Sequence, residues 1–268
     1  MKLSINHRTE YRYSELVQHS TQYLRLTPRP SSRQRILNWQ MALPESAERA
    51  SDGYNNILHV LTLDRPHQEI ALTVKGEVEI TDEDGEDGED ADHRLSPLVF
   101  TRYTTLTEPD EALRALASDL PGDNMGRKLE NLSEAILTAM PFTPGATDVA
   151  SSASAAYRVG KGVCQDHTHV FLACCRALGM PARYVSGYLY SQDSSHVASH
   201  AWAEVWQDDS WHTFDVTNQT RRPRHHLKLA VGMDYMDACP VRGVRFGGGA
   251  ESLQAVAQVS ELGPGDNQ

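Results

Sequence analysis

Gly162-Val163-Cys164-Gln165-Asp166-His167 opens the stretch that decides the fold. It runs on through Val170, Phe171, Cys174, Ala177 and Leu178, apolar residues three, four or seven apart, and stops at Gly179-Met180-Pro181. That spacing and that stop predict a helix over Val163 to Leu178, with Cys164 in its first turn. The unpaired N–H groups and positive dipole end there favour a thiolate over a thiol, and they can also donate to an oxyanion. Gly160 and Gly162 allow the chain to approach a substrate closely.

Working outward, Ala182 to Tyr190, His200 to Trp206 and Trp211 to Val216 are rich in aromatic and β-branched residues and read as strands. The polar Gln207-Asp208-Asp209-Ser210 between the last two predicts an antiparallel hairpin. His200 then starts one hairpin strand and Asp215 ends its partner. A helix N-terminus packed on that sheet would bring Cys164, His200 and Asp215 together as nucleophile, base and orienting acid.

These segments resemble a known family. Gly-Val-Cys-Gln-Asp, the run from Cys175 to Tyr188, His-Ala-Trp-Ala-Glu-Val-Trp and Phe-Asp-Val-Thr-Asn together look like the core of bacterial transglutaminase-like proteins, most strongly from Leu132 to Val244. His7-Arg8-Thr9-Glu10-Tyr11-Arg12-Tyr13 and Leu24-Arg25-Leu26-Thr27-Pro28-Arg29 resemble the β-rich domain that often precedes it. Val216 stands where many relatives carry proline. The resemblance implies an α+β fold related to papain-like cysteine proteases. It implies a β-rich domain over 1–95 and a catalytic core over 96–268, with Cys164 as nucleophile, His200 as base and Asp215 as orienting acid. It further implies acyl-enzyme chemistry on a peptide or protein substrate, with hydrolysis of a peptide or isopeptide-like bond expected ahead of transamidation. A non-catalytic binding or scaffold module is the alternative from another class, and the intact triad argues against it.

Composition sets further limits. The chain has 268 residues, 40% hydrophobic and 23% charged, with a formal charge of −11. Eight of the carboxylates lie in Asp82 to Asp92, a solvated loop by its pattern, and the EF-hand spacing for calcium fails there because Asp87 falls at the glycine position. The negative balance argues against a nucleic-acid partner. Lacking an 18-residue apolar run and a signal-like N-terminus, the chain is expected to act in the cytoplasm of a bacterial cell without a membrane partner. Its four cysteines are expected to be free thiols. The sequence carries no statement of oligomeric state.

Before the acidic run, Met1 to Tyr13, Ser20 to Leu26, Ile36 to Leu43, Ile57 to Leu63 and Glu69 to Ile80 have strand composition. After it, Pro109 to Leu120 and Leu129 to Met140 have helical periodicity, and Leu253 to Val259 is a candidate last strand. Arg221 to His226 reads as a basic loop. Asp166 is expected to accept hydrogen bonds from the helix start. No cofactor or metal is expected: a zinc set from Cys164, His167, His169, His196, His200, His225 and His226 is conceivable, but His167 and His169, two apart on a helix, point to different sides. Trp202 and Tyr188 are candidates to line a substrate groove.

Overall fold

The computed structural model describes residues 1–81, 88–89, 95–191, 199–222 and 224–262. Two antiparallel sheets carry a layer of helices, which is the expected α+β class.

The first sheet is built on β1 (Lys2–Thr27). Leu3, Ile5, His7 and Thr9 turn inward at period two, as a half-buried strand requires. Sequence reading divides this stretch into two strands, yet the chain passes through without a break. Ser14, Glu15 and Leu16 are exposed, and the pairing with β5 (His67–Ile80) shifts register between Arg12 and Val17. The strand bends there, so its two halves have different neighbours. The first half lies between β5 (His67–Ile80) and β12 (Glu251–Glu261), and the second between β4 (Ile57–Leu63) and β11 (Val241–Gly247). Outside these, β2 (Gln34–Ala42) pairs with β5, and β3 (Ala47–Ser51) pairs with β4.

Residues beyond Val241, grouped with the 96–268 core by sequence, return to the first sheet as β11 and β12. Their partner lies more than two hundred positions earlier in the chain, a pairing that no local pattern announces. The acidic run lies outside the described residues except for β6 (Gly88–Glu89), which pairs with β9 (Ser210–Phe214) of the second sheet.

That second sheet has the order β10 (His226–Gly232), β7 (Ala182–Leu189), β8 (Ser199–Gln207), β9 (Ser210–Phe214), β6. Against it pack α1 (Glu111–Ser118), α2 (Met125–Ala139), α3 (Ala153–Val159) and α4 (Cys164–Ala177), and a short α5 (Tyr235–Ala238) follows β10. Asp110, Asn124 and Ser152 cap the first three helices through their side chains, each binding an otherwise orphaned N–H. α4 is central: every residue from Asp166 to Arg176 is buried. The Arg176 guanidinium is satisfied there by the Phe100, Ala182 and Met233 carbonyls and the Thr107 hydroxyl.

A shared apolar seam joins the two sheets. Leu3, Ile5, Val78, Ile80 and Val259 of the first meet Tyr188, Leu227 and Leu229 of the second. Across it, Asn56 both donates to the Val231 carbonyl (2.7 Å) and accepts its N–H (2.8 Å), and Gln34 does the same for Lys228 at 2.9 and 3.0 Å. These two amides occupy backbone groups that β10 would otherwise leave open as an edge strand. The N-terminal sheet thereby stabilises the strand that carries His226.

Candidate active site

Three strand ends and one helix start converge at one edge of the second sheet. β7 lies between β10 and β8, with Leu189 opposite His226 and Gly187 opposite His200. Gly187 has to be glycine: an added Cβ would lie 2.0 Å from the Leu227 carbonyl oxygen and 2.7 Å from the Trp202 ring. Asp215 follows β9 directly, and its N–H and C=O pair with Thr220 at 2.9 and 3.1 Å, closing a tight turn.

That turn aims the carboxylate. His200 Nε2 lies 2.7 Å from Asp215 Oδ2, and both side chains are buried. Cys164 lies beside the same ring, close enough for its thiol and charge to favour the protonated imidazole together with Asp215. Burial works to lower the His200 pKa, but hydrogen bonds to Asp215 and Cys164 and the charge on both outweigh it and hold the imidazole up to about 10. Asp215 is pushed up by burial, then held far below the usual carboxylate range by the hydrogen bonds of His200 and His226. The three residues read from the sequence thus come together: Cys164 as first residue of α4, His200 near the start of β8, and Asp215 at the end of β9.

Sequence reasoning missed two further groups around Asp215. Asn218 donates its Nδ2–H to Asp215 Oδ2 (2.7 Å) and its backbone N–H to Oδ1 (3.1 Å). His226 places Nε2 2.8 Å from the same Oδ2. The segment Arg221 to His226 reads as a basic loop because four of its six residues are Arg or Pro. The signal lay just after it, in the strand alternation of Leu227, Leu229 and Val231.

Other expectations resolve individually. Asp166 Oδ2 accepts the Val163 N–H (2.8 Å) and the Thr147 hydroxyl (2.7 Å), so it holds the helix start as predicted. His167 donates from Nε2 to the Met140 carbonyl (2.7 Å) and accepts the Thr217 hydroxyl at Nδ1 (2.9 Å). The Tyr235 N–H lies 3.2 Å from His169 Nε2. Burial holds both imidazoles neutral, that of His169 down to about 3. Trp202 and Tyr188, candidates for a groove, are instead 1% and 0% exposed and belong to the core. Cys174, Cys175 and Cys239 are free and buried, and burial pushes the Cys174 thiol up to about 12. His196 falls outside the described residues.

His200, Asp215 and His226 together offer nitrogen and oxygen atoms within 4.8 Å of one another, a possible metal set. Their spacing fits hydrogen bonding better. Tetrahedral zinc with bonds of about 2.0–2.1 Å separates neighbouring ligand atoms by roughly 3.3 Å. The two imidazole nitrogens instead lie 2.7 and 2.8 Å from one carboxylate oxygen. An open cleft beside this edge is lined by Leu189, Tyr190, Asn218, Thr220, Arg222 and His225, with His226 at its wall.

A thiol on a helix N-terminus, facing an imidazole and carboxylate held on an antiparallel sheet, defines a papain-like cysteine centre. Comparison with known proteins agrees with that class. Residues 3–79 match the bacterial transglutaminase-like N-terminal region, and residues 114–216 match the transglutaminase-like superfamily. An uncharacterized Mycobacterium leprae protein is 29% identical over 282 residues, spanning 97% of this chain and 99% of its own. Another, from Mycobacterium tuberculosis, is 31% identical over 274 residues, spanning 90% of this chain and 87% of its own. The crystal structure of a Cytophaga hutchinsonii protein, provisionally described as a cysteine protease, superposes with a TM-score of 0.80 at 21% identity. It covers 98% of this chain and 91% of that one, and establishes the common fold. The chain belongs to the bacterial transglutaminase-like family, and its chemistry is of the cysteine-dependent kind.

Proposed function

We propose that the protein is a cysteine hydrolase that cleaves a peptide or isopeptide-like amide through a thioester, with Cys164 as nucleophile, His200 as base and acid, and Asp215 as orienting acid. The observation that carries this reading is His200 itself: Nε2 is bound to Asp215 at 2.7 Å, and Cys164 is close enough to the ring to raise its proton affinity.

The steps follow from that arrangement. The Cys164 thiolate attacks the carbonyl carbon, and the C=O π electrons move to oxygen as the C–S bond forms. N–H groups of the first turn of α4, which have no intrahelical acceptor, stabilise that oxyanion. The His200 imidazolium gives its Nδ1 proton to the leaving nitrogen as the C–N bond breaks, leaving a thioester and a neutral ring. Water then attacks the thioester, His200 takes a proton from it, and the C–S bond breaks to release the acid and restore the ion pair. An amine in place of water would give transamidation by the same route.

The test is mass-spectrometric detection of cleavage over a panel of peptide and isopeptide substrates, with a dansylated primary amine present in parallel. Release of free acid by wild type and none by Cys164→Ala supports hydrolysis. Predominant incorporation of the amine replaces it with transamidation. Equal behaviour of wild type and Cys164→Ala across the whole panel would refute the reading.

A further inference from the structure

We propose that His226 is a positioning residue of this centre, fixing the Asp215 carboxylate in the orientation that receives His200; the inference rests on the hydrolase reading above. His226 opens β10, where its ring is buried and packs edge-on against Trp202 with centroids 4.9 Å apart. Trp202 in turn stacks on His200 at 6.0 Å and 26°. The two imidazoles therefore flank one indole and reach the same oxygen, Asp215 Oδ2, at 2.7 and 2.8 Å.

The polar accounting of the ring is informative. His226 Nδ1 is buried and has no hydrogen-bond partner among the described residues, so Nε2 to Asp215 is the one polar contact the side chain makes. A neutral imidazole in that place must carry its proton on Nε2, because the carboxylate can only accept. An apolar ring could fill the space beside Trp202 without leaving a buried nitrogen orphaned. What His226 supplies that such a ring would not is the N–H. With it, Oδ2 receives donors from His200, His226 and Asn218, and Oδ1 receives the Asn218 backbone N–H. The carboxylate is held from three elements and has no freedom to turn from His200.

The ionisable groups around His226 accord with a neutral ring. Asp215 and His200 face it directly, His225 precedes it, and Glu204, Lys228 and Arg33 line the small cavity beside it. Burial outweighs the attraction of Asp215 and lowers the His226 pKa.

The isosteric pair His226→Gln and His226→Met separates the N–H from the packing. Full-length wild type, both variants and His200→Ala are compared by iodoacetamide labelling of Cys164 from pH 5 to pH 9 and by amide turnover. The Met variant should lose about tenfold in kcat and in labelling rate at pH 6 with little change in KM, as when a partner orienting a site residue is removed. The Gln variant, with a donor in reach of Asp215, should recover most of both. Equal loss in Gln and Met makes His226 a packing residue and overturns the proposal, as does wild-type behaviour in both. Should neither variant fold, 15N NMR of the wild-type histidines decides: a neutral His226 ring protonated on Nε2 is required, and protonation on Nδ1 sinks the idea. Loss of the proposal leaves the hydrolase reading intact if wild-type Cys164 still labels fast at pH 6 in a His200-dependent way. Absence of that fast labelling refutes the hydrolase reading itself.

Discussion

Two pairs of buried histidines lie around α4 and the second sheet, His167 and His169 on α4 and His200 and His226 near the starts of β8 and β10, and they differ in the group each ring nitrogen meets. The helix pair meets neutral partners, the Met140 carbonyl and Thr217 hydroxyl for one and the Tyr235 N–H for the other. The strand pair meets one ionised carboxylate. Burial is common to all four, so burial does not make an imidazole a base. A charge at one ring nitrogen and the Cys164 thiol beside the ring give His200, alone of these four, a raised proton affinity, while His167, His169 and His226 are lowered.

Removing that carboxylate should erase the distinction with the largest effect. Asp215→Asn keeps the shape but offers an amide to donors that need an acceptor, so His200 loses both its orientation and the charge supporting its imidazolium. Amide turnover should fall by about 10³–10⁴-fold, the scale seen when a triad acid becomes its amide. Turnover within tenfold of wild type would mean that His200 acts without Asp215.

The second effect is in pH. With His200 held up to about 10, the imidazolium that protonates the leaving nitrogen is lost as pH rises through that value. Amide cleavage should then decline by about tenfold per unit, whereas an activated ester, whose leaving group needs no proton, should decline less. Parallel profiles for amide and ester would remove His200 from the acid role. The same group has a stability consequence of known sign. Its folded pKa exceeds the unfolded value of about 6.5, so its contribution is complete below that and is lost as pH rises through about 10.

How much of this was legible in the sequence depends on the distance over which each signal acts. Cys164, His200 and Asp215 stand in short motifs next to turn and helix-start residues, where local chemistry suffices. Asn218 carries no chemical signal of its own in the sequence, because its role requires knowing where the Asp215 carboxylate lies. His226 was hidden by the basic residues before it, and β11 and β12 by the remoteness of β1. The middle of β1 reads as a gap because Ser14, Glu15 and Leu16 interrupt the alternation, while their backbone groups still bond to Gly248 and Ala250 between β11 and β12.

The helix pair should respond in stability and hardly in chemistry. His167→Leu leaves the Met140 carbonyl and Thr217 hydroxyl without their partner, a loss of about 1–3 kcal/mol if both stay buried. Urea denaturation measures it, and kcat per folded molecule should stay within a few-fold of wild type. A large drop in kcat with normal stability would move His167 into the site and collapse the distinction between the pairs.

His169→Phe should have the smallest effect at neutral pH and a distinct signature in acid. The wild-type ring is held down to about 3, below its unfolded value of about 6.5. Between those values the unfolded chain binds a proton that the folded one refuses, so this group's contribution is present above about 6.5 and lost as pH falls toward about 3. Phenylalanine fills a similar volume against Tyr184, whose ring centroid lies 5.3 Å from that of His169, and carries no such proton. It gives up the Tyr235 N–H contact, a cost of about 1 kcal/mol at pH 7. Urea midpoints of wild type and variant should therefore lie close together at pH 7, and the variant's should fall less steeply from pH 6.5 to pH 4. Identical slopes would show that His169 titrates freely in the folded protein, and would break the claim that neutral partners and burial together keep the helix pair out of the chemistry.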